Sequence, residues 1–134
     1  MAVREKSMSE DTKISHAKEG LPSSVKEEEA YQRLVQKLTK ENLWLYILSL
    51  LHEGPKYGYE IRGEVKKRFG FEPGRVTSYR VLYTLKKDGL VTVKTEEPSR
   101  EGPARKYYMT TQKGEKLLKE AEALLRDLHK RLFE

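Results

Sequence analysis

The chain is 134 residues long, 37% hydrophobic and 36% charged, which suits one small domain with solvated faces and excludes a large multi-domain enzyme. Lys and Arg number 27 against 21 Asp and Glu, for a net charge of +6 and a pI near 9.4, a balance that favours polyanionic partners, whether nucleic acid or an anionic membrane. The absence of cysteine removes disulfide frameworks, Cys-ligated zinc, iron–sulfur clusters and thiol nucleophiles together, and nothing requires an oxidising compartment.

Residues 1–23 mix Ser, Lys and Glu without apolar period and are expected to form a disordered tail. Ser24 followed by Glu27 has capping-box spacing, and Ala30, Leu34, Val35 and Leu38 recur at helical intervals, so an accessory helix is predicted over 24–38. Thr39 is placed to cap the next helix, over 40–53, whose run from Leu43 to Leu51 is apolar around most of its circumference and belongs in the core. That run is too short for a membrane span, and the polar N-terminus lacks the apolar segment of a secretory signal, so the reading is a cytoplasmic protein with no membrane partner.

Gly54 and Pro55 end that helix, and Ile61, Val65 and Phe69 at i, i+4, i+8 predict a third over 58–69. After the turn Gly70 to Gly74 a fourth helix is predicted over 76–88, stopped by Gly89 behind Lys86 and Lys87. The period then changes. Leu90–Thr95 and Lys106–Thr110 are β-branched or aromatic runs around a Pro/Gly/charge loop and read as a two-stranded hairpin. A last helix is predicted over 112–133.

No catalytic constellation is visible: there is no phosphate-binding glycine loop and no nucleophile motif, and His16, His52 and His129 fall in different segments without carboxylates at ligand spacing. Neither a metal nor a cofactor is expected. The basic excess lies in residues 40–110, with 14 basic against 9 acidic side chains. Three helices followed by a hairpin in that block make the pattern of a winged helix-turn-helix, whose last helix enters the DNA major groove while the wing follows the backbone. The fold class is therefore mainly α with a small β-hairpin (α+β), carrying an extra N-terminal helix over 24–39 and a C-terminal dimerisation helix over 111–134.

Projected at 100° per residue, Ser78, Val81, Leu82 and Leu85 of the fourth helix face the core, while Val76, Tyr79, Arg80, Tyr83, Thr84 and Lys87 face outward. The outward set, with Arg75 and Thr77 at the helix start, suits groove binding: Arg can fork onto guanine, Thr can touch a thymine methyl, and Tyr and Lys can hold phosphates. The plain alternative is a solvated face. On the wing, Lys94, Arg100, Arg105 and Lys106 can neutralise phosphates, whereas Glu96, Glu97 and Glu101 oppose this, so the base and strand of the wing rather than its tip are expected to meet the backbone.

In the last helix Leu117, Ala121, Leu124 and Leu128 step by 4, 3 and 4 while Leu118, Leu125 and Leu132 repeat every seven, an apolar face wider than one seam requires. One stripe is expected to cover its own domain and the other a partner in a two-fold homodimer, which would read a pseudo-palindromic double-stranded site. Intramolecular packing of both stripes is the alternative.

Residues 43–114 resemble the PadR-like family of transcriptional regulators. The likeness is carried by Leu50-Leu51-x-x-Gly54-Pro55-x-Tyr57-Gly58-Tyr59-Glu60-Ile61, by Tyr79 with Leu82, Leu85, Gly89, Leu90 and Val91, and by Gly102-Pro103-Ala104-Arg105-Lys106-Tyr107-Tyr108 with Thr110 and Gly114. Family members usually carry a proline after the tyrosine matched by Tyr79, where this chain has Arg80. The resemblance implies a dimeric DNA-binding repressor whose C-terminal helices pair. It also implies a small aromatic or hydrophobic effector near the dimer interface, where Trp44, Tyr46 or Tyr31 could line its place. Buried aromatics are as a rule core, and that reading is preferred for these three. Two other classes stay open: a winged-helix module that docks on a polypeptide, and a sequence-neutral DNA-coating protein whose affinity collapses with salt.

Overall fold

The computed structural model describes residues 27–98 and 102–134. In chain order they form α1 (Glu29–Leu38), a 3-10 turn (Lys40–Asn42), α2 (Leu43–His52), β1 (Lys56–Tyr57), α3 (Gly58–Phe69), α4 (Arg75–Lys87), β2 (Val91–Thr95), β3 (Lys106–Thr110) and α5 (Gln112–Phe133). The predicted tail over 1–23 and the Ser24 cap lie outside the described residues.

Helix α2 is the centre because its residues are apolar around most of its circumference. Leu43, Ile47, Leu48, Leu50 and Leu51 are all buried, and they meet Ile61 and Val65 of α3, Leu82 and Leu85 of α4, Leu90 and Val91 at the start of β2, and Tyr108 of β3 in one cluster. Phe71, in the turn between α3 and α4, closes it, with the Tyr46 ring edge-on at 4.9 Å from Phe71 and 5.0 Å from Phe69. The preference for core packing of Tyr46 is therefore met by two aromatic contacts.

The predicted helix over 40–53 is shorter at its start, and Thr39 does not cap it. The Thr39 hydroxyl instead donates back to the Val35 carbonyl at 2.7 Å, residues 40–42 make a 3-10 turn, and α2 begins at Leu43. A β-hydroxyl can satisfy a carbonyl of the preceding helix as readily as an N–H of the following one, and here the preceding helix wins. The Asn42 amide donates to the Lys37 carbonyl at 2.5 Å and the Tyr46 hydroxyl donates to that of Leu38, so the junction of α1 and α2 is held by side chains on the last-turn carbonyls of α1.

The hairpin has a third strand. β1 pairs with β3 (Lys56↔Tyr108, Tyr57↔Tyr107) and β2 pairs with the other edge of β3 (Val93↔Tyr108, Thr95↔Lys106), giving an antiparallel sheet of order β1-β3-β2. Two residues are too few to show the alternation that betrays a strand, which is why the sequence shows a hairpin of two strands and not a sheet of three.

Two glycines set the geometry behind the wing. Gly89 takes φ +77 after α4, its N–H donating to Lys86 O at 3.0 Å and that of Leu90 to Leu85 O at 2.9 Å, a Schellman closure that turns the chain into β2. Helix α5 then docks on this corner. The Thr111 N–H donates to Leu90 O at 3.1 Å, its hydroxyl donates to Gly89 O at 2.7 Å and accepts from the Gly114 N–H at 3.0 Å. The helix approaches so closely that a Cβ on Gly114 would lie 2.3 Å from the Leu90 carbonyl oxygen and 2.5 Å from Thr110 Oγ1.

Because the Leu90 oxygen is backbone, Gly114→Ala must displace α5 and should cost at least about 2 kcal/mol. Gly63, exposed within α3 with open space around its Cα, is the control: Gly63→Ala should instead stabilise by about 0.5–1 kcal/mol. Urea unfolding followed by circular dichroism at one fixed protein concentration reads both signs.

Candidate nucleic-acid interface

Helix α4 is presented by its own buried side. Ser78, Leu82 and Leu85 are buried and Val81 is half-buried, as the projection requires, and the Ser78 hydroxyl is satisfied by donating to Gly74 O at 2.8 Å. The turn before it is tied down from α3: Arg62 Nε donates to Pro73 O at 2.8 Å, and Arg62 and Lys66 both pair with Glu72, at 3.4 and 3.6 Å. Arg75, Val76, Thr77, Tyr79, Arg80, Tyr83, Thr84 and Lys87 are all exposed. No acidic residue occurs between Arg75 and Lys87, and the N-cap, Gly74, brings no side chain to the first turn of the helix.

Two members of this face also have work inside the fold. Tyr79 is 42% exposed, but its ring lies beside Gly58, where a Cβ would sit 3.1 Å from Cε1 of both Tyr79 and Tyr108. Gly58 thus lets the Tyr79 ring settle where the start of α3 meets the sheet, which fixes the rotation of α4 about its axis. The Thr84 hydroxyl donates to Arg80 O at 3.1 Å, leaving its methyl outward. Arg80, Tyr83 and Lys87 remain free of such duties.

The wing separates its cations. By the alternation of the strands, Lys94 lies on the outer face with Tyr107 and Tyr57, whereas Lys106 lies on the opposite face, two residues from the buried Tyr108 and on the side where Tyr79 packs. Arg105 is engaged within the chain: it pairs with Glu96 at 3.5 Å and its guanidinium stands 4.8 Å from the centre of the Tyr57 ring. The Tyr57 hydroxyl donates to the other Glu96 oxygen, the Glu96 N–H donates to Arg105 O at 2.7 Å, and Tyr59 stacks on Tyr57 at 5.5 Å. Arg100 lies outside the described residues. Among the described residues, Arg75, Arg80, Lys87, Lys94 and Lys106 enter no ion pair. The Tyr57–Glu96–Arg105 cluster joins residues 39 positions apart, and no local spacing could have announced it.

Behind this face, α5 leaves the body. Leu117, Leu118 and Ala121 are half-buried, while Leu124, Leu125, Leu128 and Leu132 are 42–68% exposed. The expected division into two stripes around the helix is instead a division along it: one face covers the domain for two turns and then continues bare. Between α2 and α5 runs an open groove of about 740 Å³, floored by Leu45, Tyr46, Phe69, Leu118 and Leu125, with His52 and Glu115 2.6 Å apart at one end. Trp44 and Tyr31 do not line this groove. No group of three or more His, Asp or Glu among the described residues is placed to hold a metal, and none of their helices is long and apolar enough to cross a membrane.

The model of the transcriptional regulator PadR-like family matches residues 47–120, from the middle of α2 to the middle of α5. No curated protein matches the chain. Among solved structures, a PadR family transcriptional regulator from Eggerthella lenta DSM 2243 is 28% identical over 78% of this chain and 89% of its own, with a TM-score of 0.66. A PadR family transcription regulator from Clostridium difficile R20291 is 30% identical over 66% of this chain and 92% of its own, at 0.60. Bacillus subtilis PadR in complex with operator DNA is 26% identical over 61% of this chain and 47% of its own, at 0.55.

Donation to the Glu96 carboxylate holds the Tyr57 hydroxyl above the ordinary tyrosine range, and burial, with Tyr79 adding to it, pushes Tyr108 up as well. Both phenols bind their protons more tightly in the folded chain than in the unfolded one. Their contribution is therefore complete below about pH 10 and is lost as pH rises through the folded values. The melting temperature should fall above about pH 10, and Glu96→Ala should return the Tyr57 titration, read by phenolate absorbance against a Tyr57→Phe reference, towards that of free tyrosine.

Proposed function

The chain belongs to the PadR-like family of transcriptional regulators and is a DNA-binding regulator rather than an enzyme, and we propose that it acts in the cytoplasm as a homodimeric repressor of a pseudo-palindromic operator. The observation that carries this reading is the outer face of α4, exposed, free of acid and held in one rotation by Ser78, Leu82, Leu85 and the Tyr79 ring. The relative from Bacillus subtilis seen with operator DNA supports the same use of the fold.

On this reading Arg80 is the base-reading side chain, standing where relatives usually carry proline, and Tyr83 and the Thr84 methyl flank it in the major groove. Arg75 and Thr77 meet the backbone at the start of α4, and Tyr79 reaches it with the edge its packing leaves free. Lys87, Lys94 and Lys106 neutralise phosphates. Arg105 contributes through the wing base that it stiffens, and Arg100 is given a phosphate-neutralising role from the sequence alone. The dimer forms through the bare length of α5, Leu124, Leu125, Leu128 and Leu132, with Leu117, Leu118 and Ala121 continuing the seam into the body. A small apolar effector that releases DNA would act from the groove between α2 and α5, where it could change the angle at which α5 leaves the domain.

Selection of bound fragments from a random duplex pool at near-physiological salt should enrich an inverted repeat. Enrichment of nothing would turn the reading towards sequence-neutral binding or a protein partner. On the enriched site, Arg80→Ala should lower the preference over random DNA by about 1–3 kcal/mol, whereas equal losses on both would reassign Arg80 to a phosphate. Each of Lys87→Ala, Lys94→Ala and Lys106→Ala should flatten the log–log salt dependence by about 0.9. Leu124→Asp with Leu128→Asp should give a monomer by analytical ultracentrifugation, because the charges would be buried unpaired, and an unchanged mass would remove the proposed seam.

A further inference from the structure

The base of the wing holds an anion seat that the chain fills with its own carboxylate. Glu96 and Arg105 continue the register Thr95↔Lys106 where β2 ends and β3 begins, with the Glu96 N–H donating to Arg105 O at 2.7 Å, so their side chains leave the same face of the sheet. The Arg105 guanidinium lies 4.8 Å from the centre of the Tyr57 ring and meets one Glu96 oxygen at 3.5 Å, while the Tyr57 hydroxyl donates to the other. Lys94 stands two residues back from Glu96 on that face.

A phosphodiester asks for the same donors. The planar fork of an arginine matches two oxygens of a carboxylate or of a phosphate, and a phenol donates to either. The seat also borders the face of α4. Tyr57 is followed by Gly58, where a Cβ would sit 3.1 Å from the Tyr79 ring, and Tyr59 stacks on Tyr57 at 5.5 Å. The Arg105 and Glu96 side chains are 49% and 39% exposed, so the seat is open to a backbone lying along the wing. The fold has little need of the pair, because exposed ion pairs add little stability and the strand pairing already fixes the register. An acid placed there subtracts from DNA binding rather than adding to folding.

We infer that the Glu96 carboxylate is an internal stand-in for a DNA phosphate: it occupies the seat made by Arg105 and the Tyr57 hydroxyl and so withholds one cation from the DNA backbone. The inference rests on the DNA-binding reading above, and the experiments separate the two. The seat reads no base, so masking it lowers affinity and salt dependence together and leaves sequence preference unchanged. Fluorescence anisotropy of the full chain on a random duplex and on the selected inverted repeat, from about 50 to about 200 mM salt, reads all three. Glu96→Gln should steepen the log–log slope by about 0.9 on both duplexes, so that the affinity lost over that rise in salt grows by about 3.5-fold. Glu97→Gln removes the same charge one residue on but frees no arginine, and its slope should stay at the wild-type value. Adding Arg105→Ala to Glu96→Gln should take the gain away.

Glu96→Ala can accept from neither donor and should steepen the slope as Glu96→Gln does. Circular dichroism and urea unfolding should show both variants folded, since the side chain is exposed. An unchanged slope in both would overturn the inference while leaving DNA binding standing. So would a gain that Glu97→Gln matches, or one that survives Arg105→Ala, because either would be relief of repulsion and not release of an arginine. A gain confined to the inverted repeat would also overturn it, giving Arg105 to a base instead of a phosphate. A wild-type chain that binds neither duplex would end the inference together with the reading beneath it.

Discussion

Everything in this fold is arranged around the burial of α2. Among the described helices α2 is apolar around most of its circumference, and each neighbour turns one face to it: Ile61 and Val65 from α3, Leu82 and Leu85 from α4, Tyr108 from the sheet, Leu117 and Leu118 from α5. A fully buried Leu or Ile side chain is worth about 1.5–3 kcal/mol, so Ile47, Leu48 and Leu50 together outweigh any surface interaction in the chain. The orientation of α4 is a by-product of that burial. Once Leu82 and Leu85 are committed inward, Arg80, Tyr83 and Lys87 have only the outside left.

The corner at Gly89 couples this arrangement to the two ends of the molecule. Leu90 O receives the Thr111 N–H and stands against the Cα of Gly114, so the exit of α4, the start of the wing and the start of α5 share one carbonyl. A shift of α5 must therefore strain either the Schellman closure or the first pair of the wing. The route from the groove beneath α5 to α4 is short: one backbone oxygen and the five residues of the Leu85–Gly89 cap that precede it.

Periodicity made much of this legible. The bounds of α3, β3 and α5 and the inward and outward sides of α4 follow from spacing alone, because each runs for several periods over a contrast between core and solvent. Features without a period did not show. β1 is two residues long, the 3-10 turn depends on which helix the Thr39 hydroxyl serves, and the Glu96 site depends on a strand pairing that brings Tyr57 to it. The wide apolar face of α5 was visible in the spacing of its leucines, but a projection around the axis is blind to position along it. Only the length of the body, ending near Ala121, decides which leucines are covered.

The acids beside the candidate face explain why weak surface pairs matter here. Exposed ion pairs contribute at most about 1 kcal/mol each to stability, so the fold does not depend on Glu72 meeting Arg62 and Lys66, or on Glu96 meeting Arg105. Their consequence is electrostatic. Glu72 borders the start of α4 and Glu96 the base of the wing, and each is matched by a cation within 4 Å, well inside the roughly 8 Å over which a charge is felt at physiological salt. Seen from beyond that distance these groups nearly cancel. Glu97 stands further towards the wing tip, so the field over the start of α4 and the wing base is left to Arg75, Arg80, Lys94 and Lys106, with Lys87 next to Asp88 at the other end of the helix. A modest net charge of +6 is thus concentrated at the start of α4 and the wing base, where Glu72 and Glu96 are answered from within the chain. Asp88, beside Lys87 and in no ion pair among the described residues, offsets it at the far end of the helix.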